Sequence, residues 1–349
     1  MRTFAFLGAG QVGVIDKPVP TAGPNDAIIR TTASFICTSD VHTVHGAMPL
    51  PEGRVLGHES VGVVDWVGSE VSMFRPGDRV AVSAITPCGH CSGCQRGHTA
   101  QCGGMLGGYK FTGQKDGSLA EYFHVNNADF NLVKIPESLT DEQALYATDM
   151  LSTGFVGAEF AAVPIGGTIA IFAQGPVGLS ATIGAKLLGA GLIIAVESQA
   201  NRVALSKHFG ADVVIDPSTE DVVDRIMSLT GEGVDGAIEA LGRQSTFEAC
   251  IKVTRPGGVI SNIGYHGDGG CLRIPLAEFG MGMSDKLIRT AACPGGSERL
   301  TRLLRLMETK KIDPTPMTTH RFNFSEVGEA FRMMESKEDH IIKPLITYD

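Results

Sequence analysis

Two continuous apolar runs, Thr168-Ile169-Ala170-Ile171-Phe172-Ala173 and Leu192-Ile193-Ile194-Ala195-Val196, bracket a stretch from Leu179 to Leu188 that reads as a helix. Unbroken runs of this length predict strands buried on both faces. Asp212-Val213-Val214-Ile215, Gly236 to Ala240 and Val259 to Ile263 predict further strands, with helices over 221–229 and 245–254. Strands alternating with helices predict a parallel sheet covered by helices on both faces. Residues 1 to about 36 behave differently. Short apolar runs there are cut by Pro18, Pro20 and Gly23-Pro24, which predicts short strands and turns of an irregular β domain. Residues 298–310 predict a basic helix, and Phe322 to Asp349 one more helix and a strand.

Composition narrows the class. At 349 residues, with 43% hydrophobic and 19% charged positions, the chain has material for two globular domains. A net charge of -9 gives no electrostatic footprint for nucleic acid or an anionic membrane. The stretch from Gly166 to Val196 carries Lys186 as its one charge, yet its seven glycines and Pro176 suit strand, turn, helix and strand better than a membrane span of about 20 residues. The N-terminal residues develop no signal-peptide core before Gly8 and Gly10, so a cytoplasmic location is expected. Eight cysteines without a secretion signal favour metal binding where they cluster.

Such a cluster exists. Cys88, Cys91, Cys94 and Cys102 can wrap one ion tetrahedrally, and all-cysteine sites of this kind are closed and structural. A nucleic-acid zinc module is the alternative, but only Arg96 and Lys110 stand nearby, with no basic stripe. Upstream, Gly57-His58-Glu59-Ser60-Val61-Gly62 sets an imidazole beside a carboxylate between glycines that suit a tight turn. Cys37-Thr38-Ser39-Asp40-Val41-His42 reads either as a ligand followed by a proton path or as a buried thiol with a polar turn. Asp149, ahead of an apolar run, has the ordinary reading of a helix cap. Ala173-Gln174-Gly175-Pro176-Val177-Gly178 is a dinucleotide fingerprint with its first glycine replaced by alanine. Gly175 would admit the pyrophosphate and Gly178 the close packing of helix on strand. Glu197 ends the second apolar run, where a carboxylate hydrogen-bonds ribose hydroxyls and repels a 2′-phosphate. That points to NAD, with Arg202 as the reason to keep NADP as the alternative.

Taken together, Gly57-His58-Glu59-x-x-Gly62-x5-Gly68, Cys37-x-Ser39-x-x-His42 and the four-cysteine lobe resemble the zinc-dependent medium-chain alcohol dehydrogenases. The resemblance covers nearly the whole chain. Gly104 to Phe111, Thr148-Asp149-Met150-x-x-Thr153-Gly154-Phe155 and Cys293-Pro294-Gly295-Gly296 are most similar to the bacterial secondary-alcohol branch. The resemblance implies an α/β fold in which a GroES-like irregular β catalytic domain (1–152 and 293–349, zinc lobe at about 85–110) joins a Rossmann doubly wound parallel-sheet cofactor domain (153–292). It implies two Zn²⁺ per chain. The catalytic one would be held by Cys37, His58 and Asp149, with Glu59 as fourth ligand or adjacent carboxylate, and the structural one by the four cysteines. Hydride would pass between nicotinamide and an alcohol or ketone, with zinc as Lewis acid. A proton relay would run from Ser39, beside Thr38, through the cofactor ribose to His42. Cofactor contacts are expected from Thr153, Gly175, Pro176, Val177, Gly178, Glu197, Arg202, Leu241, Gly242, Ile263, Gly264, Tyr265 and Lys343. The substrate pocket is expected from Ala84, Tyr109, Met150 and Cys293, with Tyr265 close by and Met281 and Met283 at the pocket or an interface. A homotetramer is implied, a dimer being the alternative. The rival readings are a polyol dehydrogenase of the same fold, an NADP enzyme, or a zinc-binding relative without catalysis.

Overall fold

The computed structural model describes residues 1–267 and 270–349, in two compact units. One comprises Met1–Ser152 and Cys293–Asp349, the other Thr153–Ala292.

In the second unit six strands form one parallel sheet. Its spatial order is Val213–Ile215, Leu192–Val196, Thr168–Phe172, Val234–Glu239, Thr254–Asn262 and Leu287–Thr290. The chain steps outward from Thr168–Phe172 and then returns to its other side, the doubly wound order that leaves a crevice at the reversal point. The apolar runs are unbroken because alternate side chains serve opposite faces. Ala170, Phe172, Ile194 and Val196 pack with Ile226, Phe247 and Ile251. Ile169, Ile171, Ile193 and Ala195 pack with Ala158, Ala161, Ala181 and Ala185. Helix Pro176–Leu187 opens with Gly175 as N-cap and proline in its first turn, where a missing N–H costs nothing. A Cβ on Gly178 would lie 1.9 Å from the Ala173 carbonyl, so this helix approaches its strand only with glycine there. Ala173 itself takes φ +71, a left-handed conformation that costs a non-glycine residue about 1–2 kcal/mol.

The first unit is built on a seven-stranded sheet. Thr318–Asn323 pairs in parallel with Lys343–Thr347, and the neighbours Ala27–Phe35, Glu59–Val67, Arg79–Val82 and Leu132–Lys134 follow in antiparallel order, with Tyr122–Val125 added to Ala27–Phe35. Two register shifts interrupt the pairing of Ala27–Phe35 with Glu59–Val67, which accounts for its irregular sequence pattern. The glycine-flanked His-Glu pair proves not to be a turn. It opens the strand Glu59–Val67, and Gly62 lies inside that strand, where a Cβ would meet the Arg30 carbonyl at 2.2 Å. Glycine here serves close backbone approach rather than chain reversal. No helix among the described residues is long and apolar enough to cross a membrane.

Candidate active site and metal centres

Cys37, His58, Glu59 and Asp149 each bring one donor atom to a common centre, all within 4.8 Å of one another. Three elements deliver them. Cys37 caps the short helix Thr38–His42, His58 immediately precedes and Glu59 opens the strand Glu59–Val67, and Asp149 lies between helices Asp141–Thr148 and Met150–Ala161. Asp149 thus stands at a helix end, but its side chain turns to the cluster: Oδ2 is 3.3 Å from His58 Nε2. Ser39 Oγ lies 3.4 Å from the same nitrogen.

The opposite ring nitrogen is engaged elsewhere. His58 Nδ1 is 3.4 Å from Asp40 Oδ1 and 3.3 Å from the Tyr109 hydroxyl. Asp40, buried, also accepts the backbone N–H of Cys37 at 2.9 Å and of Gly57 at 3.2 Å. One carboxylate therefore holds both Cys37 and His58 in place and aims Nε2 at the centre, the usual task of a group behind a metal ligand. Sequence reading gave Asp40 no role, because the partner that reveals it, Gly57, is 17 residues away. Asp40→Asn is expected to weaken zinc affinity about 10–100-fold, measured by chelator competition, with the four-cysteine site unaffected.

The donors suit a divalent cation. Burial alone would lower the His58 pKa, but Tyr109, Asp40 and Asp149 outweigh it and hold it well above the ordinary histidine value. Burial pushes the Glu59 carboxyl up against the pull of Lys343, and Glu59 Oε2 has no hydrogen-bond partner. Crowded anions and an orphaned oxygen are what a cation at the centre would satisfy.

The four cysteines also converge, with their sulfurs within 4.8 Å. Backbone N–H groups of Cys94 and Gly103 draw the Cys91 thiol down, while burial and its neighbours push the Cys94 thiol up. Four thiols this close lose their protons together only around a cation. Gly89 takes φ +80 and faces the Phe130 ring, so the turn between ligands depends on it.

Around the first cluster, Ala84, Met150 and Cys293 are buried. Ala84 N donates to Thr148 O at 3.0 Å, and the Cys293 thiol lies 4.0 Å from the Asp149 carbonyl. Thr38 Oγ1 accepts from Lys337 Nζ at 3.2 Å, and His42 is exposed at the end of its helix. Lys343, one of the residues expected at the cofactor, is buried and donates to Glu59, Nζ to Oε1 2.7 Å.

In the second unit the expected cofactor residues gather at the carboxyl ends of the strands, where open α/β sheets bind ligands. Gly175 to Gly178 begin helix Pro176–Leu187, Leu241 and Gly242 follow Val234–Glu239, and Ile263 to Tyr265 follow Thr254–Asn262. Thr153 is buried in the helix Met150–Ala161. Glu197 is also buried. Its Oε1 accepts the N–H of Ser198 and of Gln199, both at 2.9 Å, and its Oε2 that of Gln174 at 3.1 Å. Arg202 Nη1 stands 3.8 Å from the same carboxylate. Glu239, which sequence reading placed only in a strand, organises two of these loops. Its carboxylate accepts from Leu241 N, Gly242 N and the Thr246 hydroxyl, and its carbonyl from Ile263 N and Gly264 N.

Comparison with known proteins agrees with this architecture. Residues 23–137 match the alcohol dehydrogenase GroES-like domain, and residues 176–309 the zinc-binding dehydrogenase domain. The chain is 46% identical over 349 residues to the NADP-dependent isopropanol dehydrogenase of Thermoanaerobacter brockii, covering 99% of each. It is 41% identical to an alcohol dehydrogenase of Cupriavidus necator, covering 98% of this chain and 97% of that one. Among solved structures, zinc dependent alcohol dehydrogenase 2 from Streptococcus pneumonia superposes with a TM-score of 0.91 at 33% identity, over 100% and 99% of the two chains. With both domains matched and identity sustained along its whole length, this chain belongs to the zinc-dependent medium-chain alcohol dehydrogenase family of oxidoreductases, close to the bacterial secondary-alcohol dehydrogenases.

Proposed function

We propose that this protein is an NAD(H)-dependent dehydrogenase of secondary alcohols, working in reverse on ketones and also reducing aldehydes to primary alcohols. The observation that carries the reading is the convergence of Cys37, His58, Glu59 and Asp149 on one buried centre. Cys37, His58 and Asp149 would hold the catalytic zinc, and Cys88, Cys91, Cys94 and Cys102 the structural one. Zinc in the first set supplies a Lewis acid toward the substrate oxygen. Ser39, beside His58 Nε2, takes the hydroxyl proton, and exposed His42 returns it to solvent. The unit containing Met1–Ser152 serves as the catalytic domain and Thr153–Ala292 as the cofactor domain.

Secondary alcohols are favoured because relatives bear the name isopropanol dehydrogenase and because Ala84, Met150 and Cys293 offer little polarity beside Asp149. NAD is favoured over the NADP in those names by Glu197. Its carboxylate occupies three backbone N–H groups at the end of the cofactor strand, and a 2′-phosphate would meet a negative charge there. Self-association is supported by the sheet edge Leu287–Thr290 and its surroundings, where Leu276, Leu287, Met281 and Met283 are all exposed. A patch of this kind suits a copy of the same chain, and we take a homotetramer, or a dimer built on that edge, as the working assembly of a cytoplasmic enzyme.

The test is oxidation of NADH and NADPH by the purified protein against short ketones, aldehydes and polyol-derived ketoses. Ketone-dependent oxidation of NADH, with NADPH poorer by about tenfold or more, is expected from like-charge repulsion of several kcal/mol. Turnover confined to ketoses or to NADPH would contradict the reading.

A further inference from the structure

The pair formed by Lys343 and Glu59 joins two residues 284 positions apart in sequence. Lys343 is 1% and Glu59 0% exposed. The Lys343 ammonium donates to Glu59 Oε1 at 2.7 Å, lies 3.4 Å from the Ile36 carbonyl, and stands 5.1 Å from the centre of the Phe35 ring. A buried ion pair is costly to desolvate and is poor evidence of a stabilising role by itself. Its geometry says more. Oε1 is committed to Lys343 and is also the oxygen 4.0 Å from His58 Nε2, while Oε2, equally buried, has no hydrogen-bond partner; the carboxylate as a whole faces Cys37, His58 and Asp149. Three of those four donors are anionic when a metal is held, one negative charge more than a divalent cation cancels. Lys343 is the cation buried against that excess. Asp40, the other carboxylate close by, already faces three N–H groups.

We propose that Lys343 is a positioning residue that makes Glu59 a displaceable donor. By holding Oε1, the oxygen 4.0 Å from His58 Nε2, it competes with the metal for that atom, and by neutralising the carboxylate it weakens the bond to the metal enough for a substrate oxygen to replace it. This differs from a phosphate contact with the cofactor, because the ammonium is already engaged by Glu59 Oε1 and the Ile36 carbonyl. It rests on zinc occupying the Cys37 site, so zinc content of the unaltered protein is measured first. A chain without that zinc overturns the proposed function itself, before Lys343 is considered.

The test uses cobalt-substituted protein, whose visible absorption reports the ligand set, together with the rate of zinc loss to a chelator. Lys343→Met leaves Glu59 fully charged with the metal as its one remaining cation. It is expected to change the cobalt spectrum, slow zinc loss about tenfold and raise KM for the ketone about tenfold, the size of effect seen for groups behind metal ligands. KM for NADH should stay within about twofold. Lys343→Arg should keep the original spectrum, and Glu59→Gln added to Lys343→Met should give the spectrum of Glu59→Gln alone, because Lys343 acts only through Glu59. An unchanged spectrum with a raised KM for NADH would overturn the proposal in favour of a cofactor contact. Glu59→Gln alone provides a reading even if Lys343→Met does not fold. It should alter the cobalt spectrum and speed zinc loss, and an unaltered spectrum would place Glu59 off the metal and overturn the proposal.

Discussion

His58→Ala is expected to cut kcat/KM for the alcohol by about 10³ or more, leaving one zinc per chain instead of two. The estimate follows from a Lewis acid contributing several kcal/mol to the barrier, each 1.36 kcal/mol being a factor of ten. His58 is the only neutral donor of its set. Without it, Cys37, Glu59 and Asp149 remain as three buried anions, and Asp40 loses the imidazole it faces at 3.4 Å. A cation held by those three lacks the fourth point and the orientation that Asp40 supplies through the ring. Elemental analysis separates this from simple unfolding, because the four-cysteine lobe is built from a different segment and should keep its ion. Retained activity, or loss of both ions together, would count against the assignment.

The second large effect concerns the cofactor. Glu197→Gly combined with Gln199→Arg is expected to move the ratio of kcat/KM for NADP over NAD upward by about 10²–10³, the equivalent of removing several kcal/mol of like-charge repulsion and adding a cation. The structure gives the reason. Glu197 accepts the N–H groups of Gln174, Ser198 and Gln199. Taking the carboxylate away leaves three amides directed at one place, and such concave sets of N–H groups bind phosphate. Arg202, whose guanidinium is 3.8 Å from Glu197, would then face the same anion. The substitution thus converts a carboxylate-filled nest into an open one. Steady-state kinetics with both cofactors measures it, and an unmoved ratio would remove Glu197 from the specificity argument.

These two sites were legible to different degrees. The thiols at 88, 91, 94 and 102 declare themselves because ligand type and spacing are local, and the central parallel strands do so because burial on both faces leaves runs such as Ile169 to Phe172 and Leu192 to Val196 without a polar residue. Asp149 needed a family resemblance, since one carboxylate before an apolar run is also a helix cap; the structure places it at a helix end with its side chain on His58. Gly62 was misread as part of a turn because close approach of two strands leaves no local mark. Asp40, Glu239 and Lys343 act through partners brought together only by folding: backbone amides across a loop, two loops tied by one carboxylate, a lysine 284 positions from its glutamate. A buried polar residue discloses its partner only in three dimensions.

The account turns on a catalytic zinc distinct from a structural one. The most direct measurement follows zinc per chain and ketone-dependent NADH oxidation together while a chelator acts on the purified protein. Two zinc ions at the start are expected, with activity falling in proportion to loss of the first ion while the second stays bound in the four-cysteine lobe, and returning when zinc is restored. One zinc or none at the start, or activity that survives removal of the first ion, would contradict it.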